Sequence, residues 1–160
     1  MELEQTVFIA REPSVVWAGL NDPEVLRRSL PGCEHFEVTG ENQFEMLVTT
    51  RIGPVKATFR GNIELSNIEA PHRYVINGEG KGGVAGFAKG SASVELKPEQ
   101  EEGIEGTALS YAVSAKVGGK IAQLGGRLIQ GAANKLAAEF FTEFKNELGG
   151  SSEGNSGSDA

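Results

Sequence analysis

Residues 118–148 read GGKIAQLGGRLIQGAANKLAAEFFTEFKNEL, a stretch without proline whose apolar residues recur at helical spacing. This periodicity predicts one C-terminal helix of about eight turns. Its apolar residues form two sets that point about a third of a turn apart. The first set is Ile121, Leu124, Leu128 and Ala132, and the second is Ala133, Ala137, Phe140, Phe144 and Leu148. Such a helix either bends near Gly131 or covers two different surfaces.

Glycine is concentrated in the first half of this predicted helix, at Gly118, Gly119, Gly125, Gly126 and Gly131. Each interior glycine costs a helix about 1 kcal/mol relative to alanine. We therefore expect the first half of the helix to lie over an unfilled space and the second half to pack against the rest of the protein.

The same region is basic within an acidic chain. The net charge is −7, yet no Asp or Glu occurs between Glu105 and Glu139. Four cations lie in or beside this stretch: Lys116, Lys120, Arg127 and Lys135. They are predicted to form a surface contact for an anionic headgroup, a membrane or a partner protein. The alternative interpretation is that they only solvate the surface.

Length and composition indicate one domain. We expect a single ligand-binding domain over residues 1–148 and a disordered polar tail over residues 149–160. No apolar run is long enough to span a membrane. A lone Cys33 excludes an internal disulfide and is compatible with the cytoplasm, and the acidic balance argues against nucleic acid as a partner.

Strand periodicity dominates the middle of the chain. The clearest alternation runs from Val55 to Leu65, and a later strand is predicted from Val84 to Leu96. Two short helices, introduced by Pro13 and by Asn21-Asp22-Pro23, follow the first strand. The resulting order predicts an α+β fold with a seven-stranded antiparallel curved sheet.

The predicted inner face of this sheet carries unusually small residues: Gly78, Gly80, Gly86, Ala88, Gly90 and Ala92. Ordinary cores fill such a face with large apolar side chains. Either the glycine-rich half-helix settles onto the sheet, or an apolar cavity remains between them. We expect the cavity, and we expect a bulky residue at Gly90 to weaken ligand binding without unfolding the chain.

Motifs for catalysis are weak. Cys33 and His35 lack the further ligands that a metal site needs. Residues 78–83 match the GxGxxG pattern, but a strand is predicted to follow them, whereas a dinucleotide-binding site requires a helix at that position. The polar candidates for the inner face are Gln5, Thr50, Tyr74, Tyr111 and Thr107. These groups orient a carbonyl-bearing ligand better than they move protons, so binding is favoured over catalysis.

Five short motifs in order resemble one family: residues 21–26 (NDPEVL), 30–34 (LPGCE), 53–61 (GPVKATFRG), 86–90 (GFAKG) and 117–125 (VGGKIAQLG). The chain resembles the carbon monoxide dehydrogenase G-subunit family of the START-like (Bet v 1-type, SRPBCC) superfamily. The resemblance implies the helix-grip fold, in which a curved sheet wraps around a long C-terminal helix and encloses a cavity.

The family implies a non-catalytic accessory protein of a molybdenum-containing dehydrogenase of the carbon monoxide type. No covalent cofactor is implied; the resemblance suggests a bound quinone or other lipophilic molecule, and peripheral contact with the inner face of the plasma membrane. A small START-like cyclase or hydrolase and a pure membrane-docking or assembly factor are the alternatives. The predicted cavity residues are Met46, Val48, Phe59, Tyr74, Gly78, Phe87, Ala88, Gly90, Tyr111, Ile121, Leu124, Gly125 and Leu128. No catalytic or metal-ligating residue is predicted.

Overall fold

A computed structural model describes residues 1–149 of the chain. Apart from Gly149, the predicted polar tail lies outside the described residues. Seven strands form one antiparallel sheet, as predicted, and their order in the sheet is β1-β7-β6-β5-β4-β3-β2. The strands are β1 (Glu2–Ile9), β2 (Cys33–Gly40), β3 (Gln43–Ile52), β4 (Val55–Glu69), β5 (Arg73–Lys81), β6 (Phe87–Glu101) and β7 (Ile104–Gly118).

Two short helices connect β1 to β2. Helix α1 (Pro13–Leu20) and helix α2 (Pro23–Ser29) each begin with proline, whose fixed φ suits the first helical position. The Asp22 carboxylate caps α2 by accepting from the backbone N–H of Glu24 at 3.0 Å and of Val25 at 3.4 Å. The predicted pair of helices is thus confirmed.

The C-terminal helix is shorter than predicted. A 3-10 turn (Lys120–Leu124) follows β7, and helix α3 (Gly126–Leu148) begins only after Gly125. Gly125 has φ of +96°, which a helix cannot contain, so the interruption lies there and not at Gly131. Gly131 is an exposed residue inside α3.

The start of β6 is also later than predicted. Residues Gly83–Ala85 form another 3-10 turn, in which Val84 is 92% exposed. Gly86 follows with φ of +116°, and a Cβ there would collide with the carbonyl oxygen of Gly118. This close approach between the β5–β6 loop and the end of β7 delays the strand to Phe87.

The core lies where the three helices meet the inner face of the sheet. Phe144 at 0% exposure is its largest fully buried side chain. The α3 residues in or against the core are Ala137, Phe140, Phe141, Phe144 and Leu148, all from the second half of the helix. Helix α3 packs mainly against α2, with smaller contacts to α1, β1 and β3. The second half of α3 therefore holds the helix in place.

None of the described helices is long and apolar enough to cross a lipid bilayer.

Candidate ligand-binding site

The floor of the site is the inner face of β4, β5 and β6. Gly78 on β5 lies opposite Gly90 on β6, and Gly80 lies between Gly61 and Ala88 on its two neighbours. None of these five residues has an atom beyond Cβ. The sheet surface therefore leaves space here that Val, Ile or Leu side chains would fill in a packed interior. We call this surface the glycine floor.

An open hollow of about 300 Å³ lies on the glycine floor. Its inward side chains come from strands on both sides of the floor. They belong to Met46, Val48, Phe59, Ile63, Ile76, Ala88, Ala92, Val113 and Ala115. The hollow is therefore an apolar trough.

A deeper and more enclosed cavity of about 220 Å³ adjoins the hollow. Four residues border both spaces: Met46, Ile63, Ile76 and Ala92. The remaining lining residues are Leu20, Leu26, Leu30, Phe36, Phe44, Leu65, Tyr74, Val94, Leu109, Tyr111, Phe140 and Phe141. We call this space the deep cavity; it lies between the sheet, the two short helices and the second half of α3.

Aromatic rings of α3 cover the deep cavity. The rings of Phe140 and Phe141 meet edge-on with centroids 5.0 Å apart, and Phe141 stacks on Tyr111 at 5.3 Å. Edge-on and stacked arrangements are the ones that aromatic pairs prefer. Phe140 and Phe141 therefore form an aromatic roof over the cavity.

The predicted polar residues of the inner face differ in how their hydrogen bonds are satisfied. The Tyr111 hydroxyl donates to Oε1 of Gln5 at 2.6 Å, and the buried Thr107 hydroxyl donates to the carbonyl of Arg11 at 2.7 Å. Tyr74 is buried in the deep cavity, and this burial raises the pKa of its phenol. Thr50 borders neither space among the described residues.

The structure distributes the predicted cavity residues over three places. Met46, Val48, Phe59, Gly78, Ala88 and Gly90 border the hollow, and Tyr74 and Tyr111 border the deep cavity. Ile121, Leu124, Gly125 and Leu128 border neither space within residues 1–149; they lie at the end of the sheet where the 3-10 turn joins α3. There, a Cβ on Gly53 would contact Leu128 and Leu124.

The prediction that Phe87 lines the cavity is wrong. It lies directly opposite Gly118, where its ring occupies the space that a Cβ on Gly118 would need. Gly118 belongs to the outer set of β7, so Phe87 packs on the outer face of the sheet and is 43% exposed. Strand alternation places it there, because the inward residues of β6 are Ala88, Gly90 and Ala92.

Sequence reasoning did not include the residues that surround the deep cavity, chiefly Leu20, Leu26, Leu30, Phe36, Phe44, Phe140 and Phe141. Each belongs to an apolar stripe typical of an ordinary core. The alternation of β3 and β4 provides a signal for Phe44, Ile63 and Leu65, which share a face with Met46 and Gly61.

The four predicted contact cations are all exposed but do not belong to one element. Lys116 lies on the outer face of β7, opposite Lys89 of β6. Lys120 is in the 3-10 turn, and Arg127 and Lys135 are on α3. Within residues 1–149, none of the four forms a salt bridge, so their charges face solvent.

Groups for acid–base chemistry are scarce around these spaces. Glu79 and Lys89 lie opposite each other on β5 and β6, with side chains on the outer face by alternation. Arg60 reaches Glu45 on that same outer face at 4.0 Å. In the part of the chain that the structure describes, no three His, Cys, Asp or Glu side chains could hold a metal ion.

The model of the family described as the G subunit of carbon monoxide dehydrogenase (CoxG) matches residues 6–149. The chain belongs to the CoxG family. No curated protein matches this CoxG family member.

Solved structures share the fold of this chain. A conserved protein from Geobacillus kaustophilus is 30% identical with a TM-score of 0.85, and the match covers 92% of this chain and 95% of that one. The Zhui aromatase/cyclase from Streptomyces sp. R1128 is 15% identical with a TM-score of 0.59 over 92% and 93% of the two chains. Ara h 8.0201 is 14% identical with a TM-score of 0.59 over 92% and 97%. These likenesses confirm the predicted helix-grip fold of this CoxG family member.

Proposed function

We propose that this protein is a non-catalytic carrier that binds one lipophilic, ring-bearing molecule, of the quinone class, between the sheet and α3. The observation that carries the proposal is the apolar space above the glycine floor, which the first half of α3 leaves open. The deep cavity alone is smaller than the ~300–1,000 Å³ of typical ligand sites. Together with the adjoining hollow it reaches that range, so a ring would lie in the deep cavity and a chain along the floor.

The lining supports binding more than catalysis. A general acid or base must titrate near the working pH. The deep cavity offers two phenols, Tyr74 and Tyr111, and burial moves the pKa of both upward and away from neutrality. The second candidate is an enzyme of the cyclase type, as the name of the Streptomyces neighbour suggests. It is less well supported, because Arg51, Arg60 and Glu79 would have to turn inward against their alternation.

The CoxG family description supports a role beside a carbon monoxide dehydrogenase-type molybdenum enzyme. We further propose that the carrier exchanges its ligand at a membrane. Exposed apolar and basic groups occur together at one end of the sheet. Val84 projects from its 3-10 turn and Leu128 from the start of α3, and Lys120 and Arg127 belong to the same connections. Apolar side chains flanked by cations suit an anionic bilayer surface.

Ligand binding is tested by extracting the purified protein with organic solvent and by native mass spectrometry, followed by titration with short-chain benzoquinones and naphthoquinones. We expect a bound lipophilic molecule or saturable binding of a quinone. Gly78→Leu, which places a side chain in the hollow, is expected to weaken that binding. An empty protein that binds no quinone would contradict the carrier function.

Membrane contact is tested by sedimentation with vesicles of phosphatidylcholine alone or mixed with phosphatidylglycerol. We expect binding only to the anionic vesicles, reduced in Lys120→Glu/Arg127→Glu and in Val84→Asp. Lys97→Glu is the matched control, because Lys97 is an exposed cation in the distal half of β6. Salt-sensitive co-purification with a dehydrogenase that is lost in the same double variant, without quinone binding, would favour an assembly factor instead.

A further inference from the structure

Tyr74 occupies an unusual position in the deep cavity. It lies on β5 opposite Val94, is 3% exposed, and meets the ring of Trp17 edge-on with centroids 5.0 Å apart. Its neighbours on the cavity wall include Leu65, Ile76 and Leu109. The phenol is thus held among apolar side chains.

The hydroxyl of Tyr74 has no hydrogen-bond partner among residues 1–149, and burial alone accounts for the rise in its pKa. Tyr111 provides the contrast. It lies in the same row of the sheet, separated from Tyr74 only by Val94, and its hydroxyl donates to Gln5 at 2.6 Å. Buried hydroxyls in proteins are nearly always paired, so an unpaired one requires an explanation.

A buried water molecule is a poor hydrogen-bond partner for the Tyr74 hydroxyl at this position. A buried water needs two to four polar partners. The polar side chains on the wall of the deep cavity are Tyr74 and Tyr111, and the Tyr111 proton is already donated to Gln5. A water there would have one good partner and an otherwise apolar cage.

We propose that Tyr74 anchors the ligand by donating a hydrogen bond to one carbonyl oxygen on its ring. This proposal rests on the carrier function and makes it more specific. The ligand is a ring carbonyl compound whose polar end enters the deep cavity first and whose apolar chain lies over the glycine floor. A ligand that enters by its hydrocarbon end leaves the Tyr74 hydroxyl unpaired and binds less well.

The orientation follows from the shape of the site. The deep cavity is the more enclosed space, and Tyr74, whose hydroxyl is unpaired within residues 1–149, is part of its lining. The hollow is open and its inward side chains are apolar. An apolar chain therefore lies nearer the opening, and the ring carbonyl lies at the far end.

The test compares two probes of similar shape, menadione, which carries ring carbonyls, and methylnaphthalene, which carries none. Both are titrated against wild type, Tyr74→Phe and Tyr111→Phe. We expect Tyr74→Phe to weaken menadione binding about three- to tenfold, the usual effect of one hydrogen bond, and to leave methylnaphthalene unchanged. Tyr111→Phe should leave the ratio of the two affinities unchanged.

A spectroscopic measurement separates anchoring from a structural role. A hydrogen bond lowers the stretching frequency of the acceptor carbonyl, so bound menadione should show a shifted infrared band in wild type and in Tyr111→Phe. The shift should be absent in Tyr74→Phe. The ligand-free Tyr74→Phe protein should melt at the wild-type temperature or higher, because an unpaired buried hydroxyl is removed.

The outcomes distinguish the two proposals. If wild type binds both probes and Tyr74→Phe reduces both equally or neither, the carrier function stands and the anchor is wrong. If wild type binds neither probe, the carrier function fails and the anchor fails with it. A marked fall in the melting temperature of Tyr74→Phe would show that the hydroxyl has a partner within the protein, which also overturns the anchor.

Discussion

Gly78 and Gly90 lie directly opposite each other on β5 and β6, but only Gly78 has room for a side chain. A Cβ on Gly78 would contact the Asn62 carbonyl oxygen at 3.7 Å and Cγ1 of Ile63 at 3.8 Å, which are ordinary van der Waals distances. A Cβ on Gly90 would collide with the carbonyl oxygen of Ser114. The expectation that the fold tolerates a bulky residue at Gly90 is therefore wrong.

Gly78→Leu is predicted to fill the hollow without unfolding the protein. The new side chain enters open apolar space, and strands tolerate larger residues better than glycine. We expect the melting temperature to be unchanged or higher, and the affinity for menadione to fall at least about tenfold, which corresponds to ~1.4 kcal/mol.

Gly90→Ala is the matched control for this prediction. It adds one methyl group where the backbone of β7 is in the way, and overpacking typically costs ~1–3 kcal/mol. Denaturant titration should show the loss. A destabilised Gly78→Leu beside an unaffected Gly90→Ala would mean that the glycine floor is packed in solution.

The hydrogen bond between Tyr111 and Gln5 is predicted to stabilise the pairing of β1 with β7. These residues are opposite each other in the register, and the bond measures 2.6 Å. Tyr111→Phe should lower the free energy of unfolding by ~0.5–1.5 kcal/mol. A double-mutant cycle with Gln5→Ala should show a favourable coupling between the two residues. Strictly additive losses would indicate that the bond contributes nothing.

Phe144 is predicted to be the most important side chain of α3 for stability. It is 0% exposed, and its ring contacts the backbone of α1 at Gly19, where a Cβ would lie 3.2 Å from Cε1 of Phe144. Phe144→Ala should cost ~3–5 kcal/mol, the usual range for a buried phenylalanine. Leu128→Ala on the same helix should cost less than ~1 kcal/mol, because Leu128 is 41% exposed. Chemical denaturation of both variants measures the difference.

Glu24 is predicted to make stability depend on pH at the acid end. The side-chain hydrogen bond from Arg27, measured at 2.7 Å, lowers the pKa of the Glu24 carboxyl, and the charges of Arg27 and Arg28 act in the same direction. A lowered pKa in the folded state means that stabilisation is present above the unfolded-state pKa. It is lost as the pH falls through the folded-state pKa.

Thermal melts of wild type and Glu24→Gln at several pH values measure this effect. We expect the variant to be less stable at neutral pH and the two curves to converge in acid, below the ordinary pKa of 4.5 for this carboxyl. Glu41→Gln is the control, because Glu41 is exposed in the turn between β2 and β3. A constant difference between wild type and Glu24→Gln at all pH values would contradict the assignment.

Most of the fold could be predicted from the alternation of apolar and polar residues along the strands. The pattern from Val55 to Leu65 predicted β4, and the structure extends that strand only at its far end, to Glu69. The same alternation predicted the small residues that form the glycine floor. It also placed Phe87 on the outer face, so including Phe87 in the cavity disregarded the available signal.

The interruption of the last helix could not be located by periodicity. A 3-10 turn and an α-helix present their apolar residues at similar spacing, so Ile121 and Leu124 match either one. Contacts distant in sequence decide the matter. Ile121 and Ala85 are both buried, and a Cβ on Gly119 would collide with Gly86. These contacts hold the connection close to the β5–β6 loop.

Two features of the site depend on geometry that a linear pattern does not contain. The difference between Gly78 and Gly90 comes from how closely β7 approaches β6. The unpaired hydroxyl of Tyr74 depends on which partners surround it in space. Composition and alternation predicted an apolar cavity, but the unpaired hydroxyl of Tyr74 beside the deep cavity could be found only from the three-dimensional structure.

The attachment of α3 by its second half has a consequence for hydrogen exchange. Amide protons near Phe144 are protected by the core, whereas those of the first turns after Gly125 have exposed side chains such as Arg127 and Leu128 around them. The first turns should therefore exchange many times faster than the last ones. One end of the helix should therefore fray repeatedly, while the sheet and the core stay assembled.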